Sequence, residues 1–439
     1  MSDQKWTVPS SVNEAALVRE LADRLEPNDY ICSENGGIWV LAADPTVRIE
    51  LYADRLHVVS NGQAVDQPVE GGSPYQIVHD TLCSAGVDRW DAYGWFAFEC
   101  SRTSWTKLHP DTLLASFIIP ALTVEIGSGT ITASGNVEWL VPIVEDVLSG
   151  PLKRQTEHLA IVDIKNEESK SNYITATNQA IAEIRAGLYE KVIISRSVAV
   201  CSPIDFPATY ETAYGHNNPA RSFLFKMGDS RCLGFSPEMV VSVDDDRRVR
   251  TEPLAGTRAL GHGEERDELS RWELVNDPKE IVEHAISVRE AFGEIEAVSI
   301  RGSSSVCDYM SVRQRGSVQH IASTVNGKLS PNTTAWDALS VLFPAITASG
   351  VPKGHAIDAI QRIEEDERGL YAGAVVVASY SGSLDAALVL RSVYSTKGKT
   401  WLRAGAGIVA QSNPEREFEE TCEKLLSVSP FLVQKSAEV

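Results

Sequence analysis

The chain has 439 residues, with 40 Lys+Arg against 60 Asp+Glu and a formal net charge of -20. That acid surplus argues against a nucleic-acid partner, because a protein that tracks phosphates needs a basic face. With 43% hydrophobic and 23% charged residues the chain can build a large core, and its longest apolar runs fall short of the roughly 18–20 residues of a membrane-spanning helix, so no membrane partner is expected.

The first residues, MSDQKWTVPS, carry neither a basic nor an apolar stretch, so no secretory signal is expected. Periodicity then predicts a helix over Glu14 to Leu25 and strands at Ile38 to Leu41 and Val47 to Tyr52, followed by β-rich runs at Trp95 to Phe98 and Leu122 to Ile126. A polar stretch follows, which divides the chain into an N-terminal part, 1–150, a connecting segment, 151–172, and a longer part, 173–439. The longer part opens with a helix from Tyr173 to Tyr189 and strands at Val192 to Val200, Ser222 to Lys226 and Val249 to Pro253. Helices are predicted at Arg266 to Val275, Pro278 to Ala297, Thr334 to Leu342 and His355 to Ile363, with strands at Val318 to Leu329, Gly373 to Ser379, Ala387 to Tyr394 and Trp401 to Ile408. A last helix runs from Pro414 to Val428. Short Gly-containing turns, as at Ser381-Gly382 and Lys397-Gly398, favour antiparallel hairpins over a βαβ repeat. The fold class expected is α+β, with large, mainly antiparallel sheets and outer helices. Seven cysteines without a CxxC pair fit a reducing cytosol better than a disulfide framework or a zinc site, so a cytoplasmic protein is expected.

Two helices share a design. Asp277-Pro278 and Asn413-Pro414 place a capping residue before a proline at the first helical position. Behind them Glu280 and Glu283, and Glu417 and Glu420, stand three residues apart, so each pair shares a helix face. Such pairs often form solvated faces. If the two faces meet, their hard oxygens suit Mg²⁺, which keeps waters and substrate oxygens in its shell. The run from Trp401 to Ile408 has Gly405 and Gly407 but neither a third glycine nor a helix directly behind, so it fails as a dinucleotide loop. An anionic ligand would need local cations in so acidic a chain, and Arg391 and Lys424 are candidates, with Tyr371 nearby in sequence.

Seven ordered motifs carry a resemblance. They are Phe235 to Glu238, Thr251 to Arg258, Lys279 to His284, Ser311 to His320, Phe343 to Lys353, Arg403 to Gly407 and Glu415 to Thr421. Together they resemble the chorismate-utilising enzymes, densely from about Tyr173 onward, and the layout is similar to the siderophore-pathway salicylate synthase branch. The resemblance implies the two-sheet chorismate-binding sandwich, one continuous globular unit, and chorismate and isochorismate as small-molecule substrates. It implies Lys191 as general base on water, since the ammonia-using members generally lack this lysine, and Glu238 as the acid that protonates the departing C4 hydroxyl. Ala255 stands where aminodeoxychorismate synthases tend to carry a lysine nucleophile. Mg²⁺ would be held by Glu283 and Glu420, with Glu280 and Glu417 close by. Tyr371, Arg391, Lys424 and the backbone at Gly405 and Gly407 would grip the enolpyruvyl carboxylate, Arg391 through its guanidinium fork. Thr257, His320 and Thr347 would shape the ring site; His320 on its own reads equally as a hydrogen-bonded core histidine. No glutamine amidotransferase subunit is implied. An isochorismate synthase that stops at the first product shares these residues, and a non-catalytic chorismate-binding protein is the rival from another class.

Overall fold

The computed structural model describes residues 3–9, 12–26, 28–149, 158–261, 263–315 and 318–435, without the side chains of Thr257, Ala259 and Lys279. Every pairing between its named strands is antiparallel. These pairings link the described strands into one hydrogen-bonded network. The mainly antiparallel α+β fold read from the sequence is therefore the fold observed, with layers that remain joined strand to strand.

The N-terminal part is woven into the rest. Strand Tyr30–Asn35 pairs with Arg221–Met227, with Leu224 opposite Cys32, and Asp91–Phe96 pairs with Ala374–Ser379. The longest ladder joins Ile38–Tyr52 to Leu113–Gly127. Side chains alternate between the faces of a strand, and two hydrophobic clusters use the two faces. Ala42, Phe223 and Phe225 pack in one, while Leu41, Ala43 and Leu224 pack in the other. This period-two burial explains the near-continuous apolar strands: both of their faces are covered.

Helix ends follow local chemistry. Asn13 caps Glu14–Leu25 by accepting from the Ala15 amide. Thr334 and Asp337 form a reciprocal capping box at Ala335–Leu342. Asn413 accepts from the amides of Glu415 and Arg416, with Pro414 in the first turn. The helix expected from Tyr173 starts earlier, spanning Glu167–Arg185, because Asn166 caps it through the Ser169 amide. The strand expected over Ala387 to Tyr394 is two strands, Leu384–Leu388 and Ser392–Thr396. Between them Arg391 has φ 50, a left-handed conformation that no strand continues through.

Candidate active site

Strand Lys191–Ala199 pairs with Lys399–Ile408, bringing Gly407 opposite Ile193 and Gly405 opposite Ser195. The short strand Gly350–Val351 pairs on the other side, with Val351 opposite Lys191. Gly350, at φ +139, lets the chains close up, since a Cβ there would lie 2.2 Å from the Lys191 carbonyl oxygen. Helices Pro278–Val298 and Pro414–Leu425 bring their carboxylates to the same place. One cavity of about 130 Å³ results, walled by Lys191, Glu238, Glu280, Glu283, His320, Thr347, Tyr371, Arg391, Gly405, Gly407, Glu420 and Lys424. One residue expected there, Glu417, is not on its wall; it is buried three residues before Glu420. The expectation for Thr257 falls on a side chain outside the described residues.

Lys191 is 4% exposed, and its Nζ donates to Glu283 Oε1 at 2.6 Å. Glu238, also 4% exposed, follows strand Ser230–Ser236 and precedes Met239–Val243. Burial pushes its carboxyl up to about 8; the Thr347 hydroxyl, donating at 2.7 Å, opposes this, and Glu252 adds to it. A carboxylic acid that keeps its proton near pH 7 is what protonation of a leaving group requires. The cavity thus contains a buried amine and a buried neutral acid.

The cationic end is ordered by a relay. His320 lies on strand Val318–Lys328, with Nδ1 2.9 Å from the Gly256 carbonyl oxygen and Nε2 2.8 Å from an Arg391 guanidinium nitrogen. A carbonyl only accepts and a guanidinium only donates, so Nδ1 carries the proton and Nε2 accepts. Burial, and then Arg391, hold the ring down to about 3. The histidine is therefore a neutral orienting group for Arg391. Burial, and then Arg315, lower Arg391 itself to about 10. Lys424 donates to the Gly405 carbonyl at 2.8 Å and pairs with Glu420 at 2.8 Å. Burial opposes its charge, Glu420 more than offsets this, and its pKa moves upward. Burial raises the Tyr371 hydroxyl, which stays neutral.

The carboxylates do not stand as a ready metal cage: among the described residues no group of three or more His, Cys, Asp or Glu is close enough to hold an ion. Each has a cation instead, Glu283 with Lys191, Glu420 with Lys424, and Glu280 with Arg258 at 3.4 Å. Hard oxygens from two helices on one cavity wall nevertheless fit an ion that completes its shell with water and ligand oxygens. Gly407 keeps this corner open, since a Cβ there would lie 3.2 Å from both Glu283 Oε1 and Lys191 Cε. Gly256 does the same at φ +65, where a Cβ would be 2.9 Å from Glu280 Oε2.

Several residues at the site carried no assignment from sequence. Arg403 lines the cavity and is anchored by Ser195 and Glu364; Arg258 pairs with both Asp277 and Glu280. Arg403 stands in one of the seven motifs, and a buried arginine leaves no trace in periodicity. Glu364 sits in the run Glu364-Glu365-Asp366-Glu367, which reads as a solvated acidic loop.

The sequence matches the family of chorismate binding enzymes over residues 27–430, and the chain belongs to that family. It is 42% identical over 438 residues to a salicylate synthase of Mycolicibacterium paratuberculosis (strain ATCC BAA-968 / K-10), covering 98% of this chain and 96% of the relative. Its fold is similar to that of anthranilate synthase component I from Streptococcus pneumoniae TIGR4, with a TM-score of 0.73 at 24% identity over 90% of this chain and 92% of the other. It is equally similar to the menaquinone-specific isochorismate synthase of Escherichia coli, with a TM-score of 0.73 at 19% identity over 98% and 94%.

Proposed function

We propose that this enzyme is a Mg²⁺-dependent salicylate synthase. It converts chorismate to isochorismate and then eliminates pyruvate in the same cavity to leave salicylate. The observation that carries this reading is the buried Lys191 amine and the neutral Glu238 acid on one cavity wall. The near full-length similarity to a salicylate synthase supports it.

In the first step water adds at C2 of the ring and the C4 hydroxyl leaves as water. Lys191, released from Glu283, takes the proton of the attacking water. Glu238 delivers its proton to the departing hydroxyl, with Thr347 fixing the acid's orientation from 2.7 Å. Glu283 and Glu420 would hold Mg²⁺, with Glu280 and Glu417 nearby, and the ion would supply positive charge for the ring carboxylate. Arg391, turned by His320, and Lys424, Tyr371 and the backbone at Gly405 and Gly407 receive the enolpyruvyl carboxylate. The second step moves the C2 hydrogen to the enolpyruvyl methylene as the C–O bond breaks, a pericyclic shift that asks only for the right conformer. Water as the nucleophile removes any need for a glutamine amidotransferase subunit. The seven free cysteines fit a cytoplasmic setting, and siderophore biosynthesis is the pathway proposed to use the salicylate. No helix among the described residues is long and apolar enough to cross a membrane.

The test is incubation of purified protein with chorismate and Mg²⁺ in ammonia-free buffer, with products identified by mass and by salicylate fluorescence. Equal amounts of salicylate and pyruvate are expected. Isochorismate alone would restrict the enzyme to the first step, and binding without turnover would reduce it to a chorismate-binding protein.

A further inference from the structure

Behind the cavity wall lies a buried ionic cluster with no part in the steps above. Glu364 ends the helix Lys353–Ile363 as its C-cap, and its side chain is 4% exposed. One carboxylate oxygen, Oε1, accepts from the Ser195 amide at 2.8 Å, the Ser195 hydroxyl at 2.9 Å and Arg368 Nη2 at 2.7 Å. The other, Oε2, accepts from Arg368 Nε at 2.9 Å and Arg403 Nη2 at 2.7 Å. Ser195 Oγ in turn accepts from Arg403 Nε at 2.8 Å. The two arginines are as buried as the acid, with side chains 1% and 4% exposed.

One carboxylate thus faces two buried guanidinium groups, and the Arg368 amide donates to a second buried acid, Glu99, at 2.8 Å. Burying charge is costly unless geometry and pairing are good, so the arrangement calls for an account beyond stability. Both guanidinium groups reach the same ring: their central carbons lie 5.5 Å and 5.7 Å from the centroid of Tyr371. That tyrosine and Arg403 both line the cavity. An alanine Cβ at Gly405 would lie 2.8 Å from the Tyr371 hydroxyl, so the hydroxyl stands directly over the glycine strand beside the Lys424 contact.

We propose that Glu364 is a positioning residue for the anion-binding end of the cavity. It fixes Arg403 and Arg368 against the Tyr371 ring and thereby sets the direction of the hydroxyl that meets a carboxylate ligand. This rests on chorismate being the ligand, and the experiment separates the two ideas. Affinity for chorismate is measured by calorimetry and turnover by salicylate fluorescence, for the native protein, Glu364→Gln, Tyr371→Phe and the double variant. Glu364→Gln keeps the shape and removes the charge that orders both arginines. It is expected to weaken chorismate binding about tenfold, the size of one charge-assisted hydrogen bond, and to raise KM more than it lowers kcat.

If Glu364 acts through Tyr371, its effect shrinks to threefold or less in the Tyr371→Phe background. Equal losses in both backgrounds would make the cluster a structural support and overturn the proposal. Should Glu364→Gln fail to fold, Arg403→Lys replaces it in the cycle, since it keeps the charge while losing the fork to Ser195 and Glu364; the same two outcomes decide. Native protein that binds chorismate without forming salicylate would refute the synthase reading alone, and the affinity cycle would still judge Glu364.

Discussion

Replacing Glu238 by Gln should inactivate the enzyme and at the same time stabilise the fold, increasingly so as the pH rises. In the native protein the carboxyl titrates near 8 instead of the ordinary 4.5. Its folded-state pKa is raised, so the folded state holds the proton more tightly than the unfolded chain does. Below about pH 4.5 both states are protonated and the group is neutral toward stability. Above that, the unfolded chain gains by ionising while the folded protein does not, and the penalty grows until the pH passes 8. At about 1.4 kcal/mol per unit, this comes to less than about 1 kcal/mol at pH 5, about 3 kcal/mol at pH 7 and about 5 kcal/mol at pH 9. Glutamine removes the titration, keeps an acceptor for Thr347 and fills the same space. Urea unfolding of both proteins at pH 5.5, 7 and 8.5 should show a stability gap that widens with pH in favour of the variant. The native enzyme's kcat/KM on chorismate should correspondingly fall as pH rises through about 8, as the acid loses its proton. A gap that is flat, or that narrows with pH, would refute the neutral-acid assignment.

Lys191→Gln should lower the rate on chorismate by about 10² to 10⁴, the usual cost of a lost general base, while pyruvate release from supplied isochorismate falls less; equal losses on both substrates would make the lysine a ligand-positioning group. Glu283→Gln and Glu420→Gln should weaken Mg²⁺ binding, read by calorimetry in the presence of chorismate, with little change in melting temperature. Wild-type Mg²⁺ affinity in either variant would remove that residue from the ligand set. Gly405→Ala should abolish chorismate binding and destabilise the fold by about 1 to 3 kcal/mol, because its Cβ would lie 2.7 Å from the Ile194 carbonyl oxygen and 2.8 Å from the Tyr371 hydroxyl. Unchanged affinity in that variant would show that the ligand does not approach this strand.

Helix starts were legible at Asn413 and Thr334, where a capping residue precedes a proline or an acidic third position, yet Ser73 before Pro74 opens a helix, Pro74–Ser84, that was not expected from the sequence. Strands were legible as apolar runs, but their ends were not. The break at Arg391 depends on a left-handed residue with no glycine to announce it. Strand Gln63–Pro68 is exposed along its length and so leaves no hydrophobic pattern. Much of the candidate site was visible because Glu238, Glu283, His320, Thr347, the two glycines and Glu420 fall in ordered motifs, while Lys191, Tyr371, Arg391 and Lys424 stand outside them, and Lys191, Glu238 and the two glycines do meet in one cavity. The partners of those residues were not visible. That His320 accepts from Arg391 while donating to Gly256, or that Glu364 holds Arg403 as well as the nearby Arg368, is set by tertiary approach between segments far apart in the chain. Glu417 shows the limit of spacing arguments: it shares a helix face with Glu420 by periodicity, yet only Glu420 reaches the cavity.

The ion pairs that line the cavity bear on how its affinity is composed. Lys191 with Glu283, Lys424 with Glu420 and Arg258 with Glu280 leave few bare charges waiting for a ligand. On the proposed function, a dianion and a divalent cation arriving together would bring charges of opposite sign, so each could take over half of an existing pair: the anion would displace carboxylates from the cationic side chains, and the cation would collect the carboxylates so released. Binding energy is then a difference between two well-paired arrangements, and each arriving partner leaves an opening suited to the other. Selectivity would follow from this exchange, since a carboxylate arriving without a cation, or a cation without a carboxylate, would break pairs that it cannot replace.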